Sequence, residues 1–222
     1  MAEDEDFDTE ESSSTAAEPP QPRANPLLRG QEAAEAVLLQ AFNSGRLPHA
    51  WLLTGPRGVG KATLAYRFAR FLFAEGAGGG GRLFAAARAS LEVAATHLAF
   101  RQVASGGHLD LLVVERGIDP KRKRQRREIV ADDARRVADF LHLTSGQDGW
   151  RIVIVDGADV MNTHAANSLL KILEEPPKRS VLLLVSDNPG RLLPTIRSRC
   201  RSLPLKPLAQ SLIIELLELY RP

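Results

Sequence analysis

The chain has one cysteine, Cys200, which excludes internal disulfides and any multi-cysteine zinc cluster and fits a reducing cytosol. The lone thiol reads as a small buried hydrophobe. No apolar run reaches the roughly 18 residues of a membrane span, and no signal-peptide core follows the first methionine. Basic side chains are missing from the first 22 residues, which carry eight acidic ones in a Ser/Pro/Ala-rich stretch without apolar periodicity. Residues 1–24 therefore read as a disordered, solvated acidic tail. Setting that stretch aside leaves 29 basic against 19 acidic residues, about +10, for a body attracted to polyanions. With 44% hydrophobic and 25% charged residues, a chain of 222 can bury one full core and part of a second.

Leu52–Thr63, LLTGPRGVGKAT, has the spacing of a phosphate-binding loop. Gly55, Gly58 and Gly60 permit the backbone turns that aim successive N–H groups at phosphates, with Val59 between them. Lys61 is the point charge for the β- and γ-phosphates, at the start of a helix whose dipole favours anions. The motif asks for Ser or Thr after the lysine, where a hydroxyl ligates Mg²⁺. Here that residue is Ala62, and Thr63 comes about 100° further round the helix, where it is not expected to face a metal. The loop reads as able to hold ATP or ADP weakly, with Mg²⁺ doubtful and turnover poor.

The rest of the chain alternates strands and helices. Strands are expected at 50–54, 109–114, 151–156, 181–185 and 201–205, and helices at 31–44, 61–73, 131–141 and 163–174. The last of these helices stops before Pro176–Pro177. This spacing predicts an α/β domain with a parallel sheet flanked by helices. Residues 75–107, glycine-rich and then alanine-rich, read as an insertion with weak helical character. Lys121–Arg127, KRKRQRR, is a solvated loop or a phosphate-contacting one.

The third strand ends in Asp156, where a P-loop nucleotidase keeps its Mg²⁺-holding acid. The glutamate base that often comes next is replaced by Gly157, with Ala158 and Asp159 after it. Both the metal hydroxyl and the base are missing, which argues against an efficient hydrolase.

Two stretches carry a specific resemblance: VIVDGADVMNTHAANSLLKILEEPP and LLLVSDNPGRLLPTIRSRC. Together with NSGRLPHAWLLTG, GGHLDLLVVER and REIVADDARRVADFLHLT, they resemble the AAA+ subunits of the bacterial DNA polymerase III clamp loader. The similarity runs from about Asn25 to Pro207. The missing hydroxyl and base make the delta-prime type the nearer likeness, ahead of an active gamma/tau-type motor. A stand-alone nucleotide-binding regulator is a further alternative.

The resemblance implies a RecA-like P-loop AAA+ domain over 25–207, then the start of a helical lid at 208–222 that stops short, as in a fragment. It implies gamma/tau and delta subunits as ring partners, with the sliding clamp and primer-template DNA reached through the complex, in the bacterial cytoplasm. It implies that Arg199 of the SRC segment acts as an arginine finger in a neighbour's ATP site, a role worth about 10³–10⁵ in rate in related nucleotidases. From spacing alone Arg199 reads as a surface salt bridge, and Arg197 as solvated. Either Ser186 or Asp187 is the polar sensor of the γ-phosphate. Family members often carry four zinc-binding cysteines after the P-loop helix; 75–107 has none, so no zinc is expected, and His97 and His108 alone do not make a structural site.

Overall fold

The computed structural model describes residues 19–76, 87–142 and 149–219. Its main sheet contains five parallel strands: β1 (Ala50–Thr54), β2 (Leu111–Val114), β5 (Arg151–Asp156), β6 (Ser180–Ser186) and β7 (Arg201–Pro204). Their spatial order is β2-β5-β6-β1-β7, so β6 lies between β1 and β5. The helices among the described residues are α1 (Glu32–Asn43), α2 (Lys61–Glu75), α3 (Leu98–Ser105), α4 (Ala131–His142), α5 (Thr163–Glu174), α6 (Pro194–Arg197) and α7 (Gln210–Leu219). The expected parallel α/β sheet with flanking helices is thus present.

Alternation explains why the central strands read as unbroken apolar runs. Successive strand residues face opposite sides, and here both sides are covered. Ile152 and Ile154 of β5, with Val181, Leu183 and Val185 of β6, enter one core with α1 and α2. Val153 and Val155, with Leu182 and Leu184, enter the other with α4 and α5. Phe68, Leu64 and Leu72 of α2 are fully buried over the first core. On the second, the Asn162 side chain caps α5 by accepting from the Ala165 N–H at 2.9 Å.

Four expectations change. The strand expected at 109–114 begins at Leu111, because His108 accepts the Asp110 and Leu111 N–H groups in a turn that leaves Leu109 92% exposed. Part of 75–107 is integral to the core. His97 caps α3 through its ring nitrogen, Phe100 and Val103 are buried, and Leu91 enters the first core. Arg70 of α2 lies over the Phe100 ring, 4.4 Å from its centroid, and Phe73 stacks on His108. Residues 78–81 of that stretch lie outside the described residues.

The KRKRQRR segment is also more ordered than a loop. Ile118–Asp119 (β3) and Arg124–Gln125 (β4) pair antiparallel. Asp119 accepts the N–H groups of Lys121 and Arg122, and Lys123 takes a positive φ of 50° to close the turn.

Most of the acidic tail lies outside the described residues. Its end does not behave as tail: Gln21–Asn25 forms a turn, and the Asn25 carbonyl accepts from Arg70 at 2.8 Å. Residues 210–219, where a lid was expected to start, form α7, and its Ile213, Ile214, Leu217 and Leu219 are exposed. Among the described residues, no helix is long and apolar enough to cross a membrane.

Candidate functional site

Register gathers the motif residues. Thr54 of β1 lies beside Ser186 of β6, and Val185 of β6 beside Asp156 of β5. The chain leaving each strand therefore emerges at the carboxyl edge of the sheet, where ligands of open α/β sheets sit. The glycine loop comes after β1, Gly157 after β5 and Asp187 after β6. They surround a cavity of 620 Å³ that also takes in Glu115 and Arg116, from the end of β2.

The loop has the shape that the sequence requires. Gly55, Gly58 and Gly60 all have positive φ. A Cβ on Gly55 would lie 2.6 Å from the Leu205 carbonyl oxygen, so backbone rather than a movable side chain excludes any other residue there. Gln31, buried before α1, donates to the carbonyls of Val59 (3.2 Å) and Lys206 (2.9 Å), tying the loop to the segment after β7.

Lys61 is 4% exposed and its ammonium is fully engaged. It donates to the carbonyls of Gly55 at 2.8 Å and Pro56 at 2.6 Å, and pairs with Asp187 Oδ1 at 2.7 Å. Asp159 supports the partner: its carboxylate oxygens accept the N–H groups of Asp187 at 3.3 Å and Asn188 at 3.2 Å.

The cavity is rich in carboxylates. Burial holds the Asp156 carboxyl above its ordinary range; Glu115 and Asp187 add to this, while Lys61 and Arg116 pull the other way. Burial, with Asp156 and Glu115 nearby, pushes the Tyr66 hydroxyl of α2 up to about 12. Tyr66, Glu115 and Asp156 also line an adjoining cavity of 630 Å³ with Arg23 and Arg136.

The structure separates the two sensor candidates. Ser186 is fully buried and its hydroxyl has no hydrogen-bond partner, whereas the half-exposed Asp187 lines the cavity. Ala62 and Thr63 both line it too, so Thr63 is closer to the site than its helical phase implied. Gly157 has a φ of +85°, and the chain turns there into a single 3₁₀ turn at Ala158–Val160.

Arg199 is not among the residues lining this cavity. It donates to the Thr195 carbonyl at 2.9 Å and pairs with Glu174 at 2.6 Å. That ion pair joins the NSLLKILEEPP and SRC segments. Burial pushes the neighbouring Cys200 thiol up to about 11, consistent with its packing against the second core.

Sequence reasoning passed over Glu115, Gln31 and the supporting role of Asp159. Only Asp159 carried a local signal, as an acid three residues beyond Asp156. The others reach the site through strand order and tertiary contacts.

A glycine loop at the end of β1, an acid at the end of β5 and a strand inserted between them define a P-loop domain of the AAA+ class. Comparison with known proteins gives the family. Residues 30–209 match the family described as DNA polymerase III, delta subunit, and the chain belongs to it. It is 40% identical over 180 residues to the DNA polymerase III subunit delta' of Pseudomonas aeruginosa, covering 80% of this chain and 50% of that protein. It is 32% identical to subunit delta' of Bacillus subtilis over 78% of this chain and 46% of that one. Subunit gamma/tau of Mycobacterium tuberculosis is 33% identical over 80% of this chain and 28% of its own length. The chain spans about half the length of its delta' relatives. The likeness to delta-prime subunits read from the motifs therefore holds.

Proposed function

We propose that this chain acts as the delta-prime subunit of a DNA polymerase III clamp loader. It would assist ATP-driven loading of the sliding clamp onto primed DNA in the bacterial cytoplasm. The observation that carries this reading is the family match over 30–209, combined with a glycine in left-handed conformation where a hydrolase keeps its base. Gamma/tau and delta subunits are the expected ring partners, and clamp and primer-template DNA are reached through the ring. The exposed cations of the β3–β4 hairpin support the DNA side of the reading.

The loop N–H groups and Lys61 fit the phosphates of ATP or ADP, and the polyphosphate would supply the charge that Lys61 is built to meet. Ala62 offers no metal hydroxyl, Gly157 offers no base, and intrinsic turnover is expected near background. Two features count against an active gamma/tau-type motor: the missing base and the Lys61–Asp187 pair.

Arg199 serves the neighbouring subunit in this reading. Its Glu174 pair is exposed, and exposed ion pairs are worth about 0–1 kcal/mol, so little stability holds the guanidinium in place. The test uses the full-length protein assembled with motor and delta subunits. Arg199→Ala is expected to leave the melting temperature nearly unchanged and to lower DNA- and clamp-stimulated ATP hydrolysis well below that of Arg197→Ala. Equal, wild-type-like ATPase and clamp loading in both variants would remove the finger from this position. Failure of the wild-type chain to join the ring would overturn the subunit reading itself.

A further inference from the structure

A lysine ammonium has three donors and no acceptor. In Lys61 they meet the Gly55 carbonyl, the Pro56 carbonyl and the Asp187 carboxylate, at 2.8, 2.6 and 2.7 Å. The residue expected to greet a phosphate is thus already satisfied by the chain's own groups. Asp187 does not reach it by a chance swing of a surface side chain. Asp159 holds the backbone of both Asp187 and Asn188, and 3₁₀ turns on either side fix that corner: Ala158–Val160 after β5 and Pro189–Arg191 after β6.

We propose that Asp187 is a built-in occupant of the phosphate site, whose carboxylate neutralises Lys61 and selects against nucleoside triphosphates in favour of diphosphates. This rests on reading the cavity as a nucleotide site. A ligand phosphate that takes Lys61 must displace the Asp187 carboxylate, which then stands beside it as a like charge. Asp156 and Glu115 line the same cavity and deepen the penalty. Only part of it is offset by Arg57 and Arg116, the other cations lining the cavity. The more charge the phosphate chain carries, the larger the cost, so a triphosphate suffers more than a diphosphate. A neutral polar sensor in this place would do the opposite and favour the triphosphate.

Nucleotide titrations on the purified chain test the idea, with ATP and ADP run separately on wild type, Asp187→Asn and Asp187→Glu, with and without Mg²⁺. Removing a like charge from a partly buried site is expected to tighten ATP about tenfold and ADP by less. Asp187→Glu keeps the charge and is expected to behave like wild type. Equal tightening of ATP and ADP in Asp187→Asn would overturn the selectivity. So would weaker ATP binding, which is what loss of a phosphate-contacting sensor gives. Should Asp187→Asn fail to fold, as judged by circular dichroism, Asp159→Asn gives the second reading. It leaves Lys61 and Asp187 in place but loosens the corner, and it is expected to narrow the ADP-over-ATP preference; an unchanged preference counts against the proposal. If wild type binds nucleotide and neither variant alters the ratio, the proposal alone fails. Absence of binding by every variant overturns the proposal with the nucleotide-site reading, while assembly with ring partners is unaffected by that result.

Discussion

Gly157 shows why a missing side chain can be a backbone matter. On the reading that a hydrolase would keep its base there, writing one in meets a chain that turns at φ +85° and a Val160 methyl group 3.1 Å from any added Cβ. A non-glycine residue in left-handed conformation costs about 1–2 kcal/mol. Gly157→Glu and Gly157→Ala are therefore both expected to lose about that much stability in urea titrations, and Gly157→Glu is expected to gain no ATP turnover. Mg²⁺-dependent phosphate release of about 1 s⁻¹ from Gly157→Glu would show that the backbone is no obstacle. At this scale the sequence was a good guide wherever chemistry is local. The glycines, Lys61 and Asp156 are legible in a contiguous motif and a strand end. It was a poor guide to Glu115 and Gln31, because each belongs to the site only through a partner far away in the chain. Gln31 meets Lys206 across 175 positions, and no periodicity encodes that pairing.

Among the elements, the strands and long helices were readable, since two covered sheet faces demand apolar runs and one covered helix face demands a stripe. The helix α3 was legible only as weak helical character within 75–107. It is eight residues long and its alanines carry little pattern, so its stability comes from docking on α2. The contact that matters joins Phe100 to Arg70, a residue 1% exposed whose guanidinium is pushed down to about 10 by burial and by the nearby Arg67. Arg70 finds one carbonyl, that of Asn25, while its Nη1 has no hydrogen-bond partner. The Phe100 ring face covers the cation in place of water. Phe100→Ala removes a buried ring and uncovers that charge, so a loss of about 3–5 kcal/mol is expected. Urea unfolding of the chain gives the measurement: a lower midpoint with an unchanged slope agrees. A loss under about 0.5 kcal/mol, the level of an ordinary surface position, would show α3 to be a loosely attached insertion after all.

Over the whole molecule, charge is distributed as unevenly as any feature of the chain. Eight acids precede residue 19, whereas four consecutive cations, Lys121 to Arg124, stand exposed on the β3–β4 hairpin. The hairpin is not remote from the site: Gln125 of β4 lines the P-loop cavity, as does Pro22, from the turn where the chain leaves its acidic stretch. Of the neighbouring cations, Arg126 faces Asp133 at 3.7 Å, and no ion pair is found for residues 121–124 among the described residues. Cations without a side-chain ion pair on a backbone-pinned turn are suited to phosphates, and each phosphate they neutralise lowers log K by about 0.9 per decade of salt on duplex DNA. Replacing Lys121, Arg122, Lys123 and Arg124 by serine is therefore expected to weaken binding to a primer–template duplex and flatten its salt dependence. The slope is expected to shrink by about 0.9 for every phosphate that no longer meets a cation. Deleting residues 1–18 removes like charge to the phosphates and is expected to act in the opposite direction, tightening binding at low salt and mattering less as screening grows. Fluorescence anisotropy across a salt series, with the chain alone and in the assembled ring, reads both effects. A slope unchanged by the four serines would overturn a phosphate-contacting role for the hairpin, which would then be a solvated turn whose charge serves solubility.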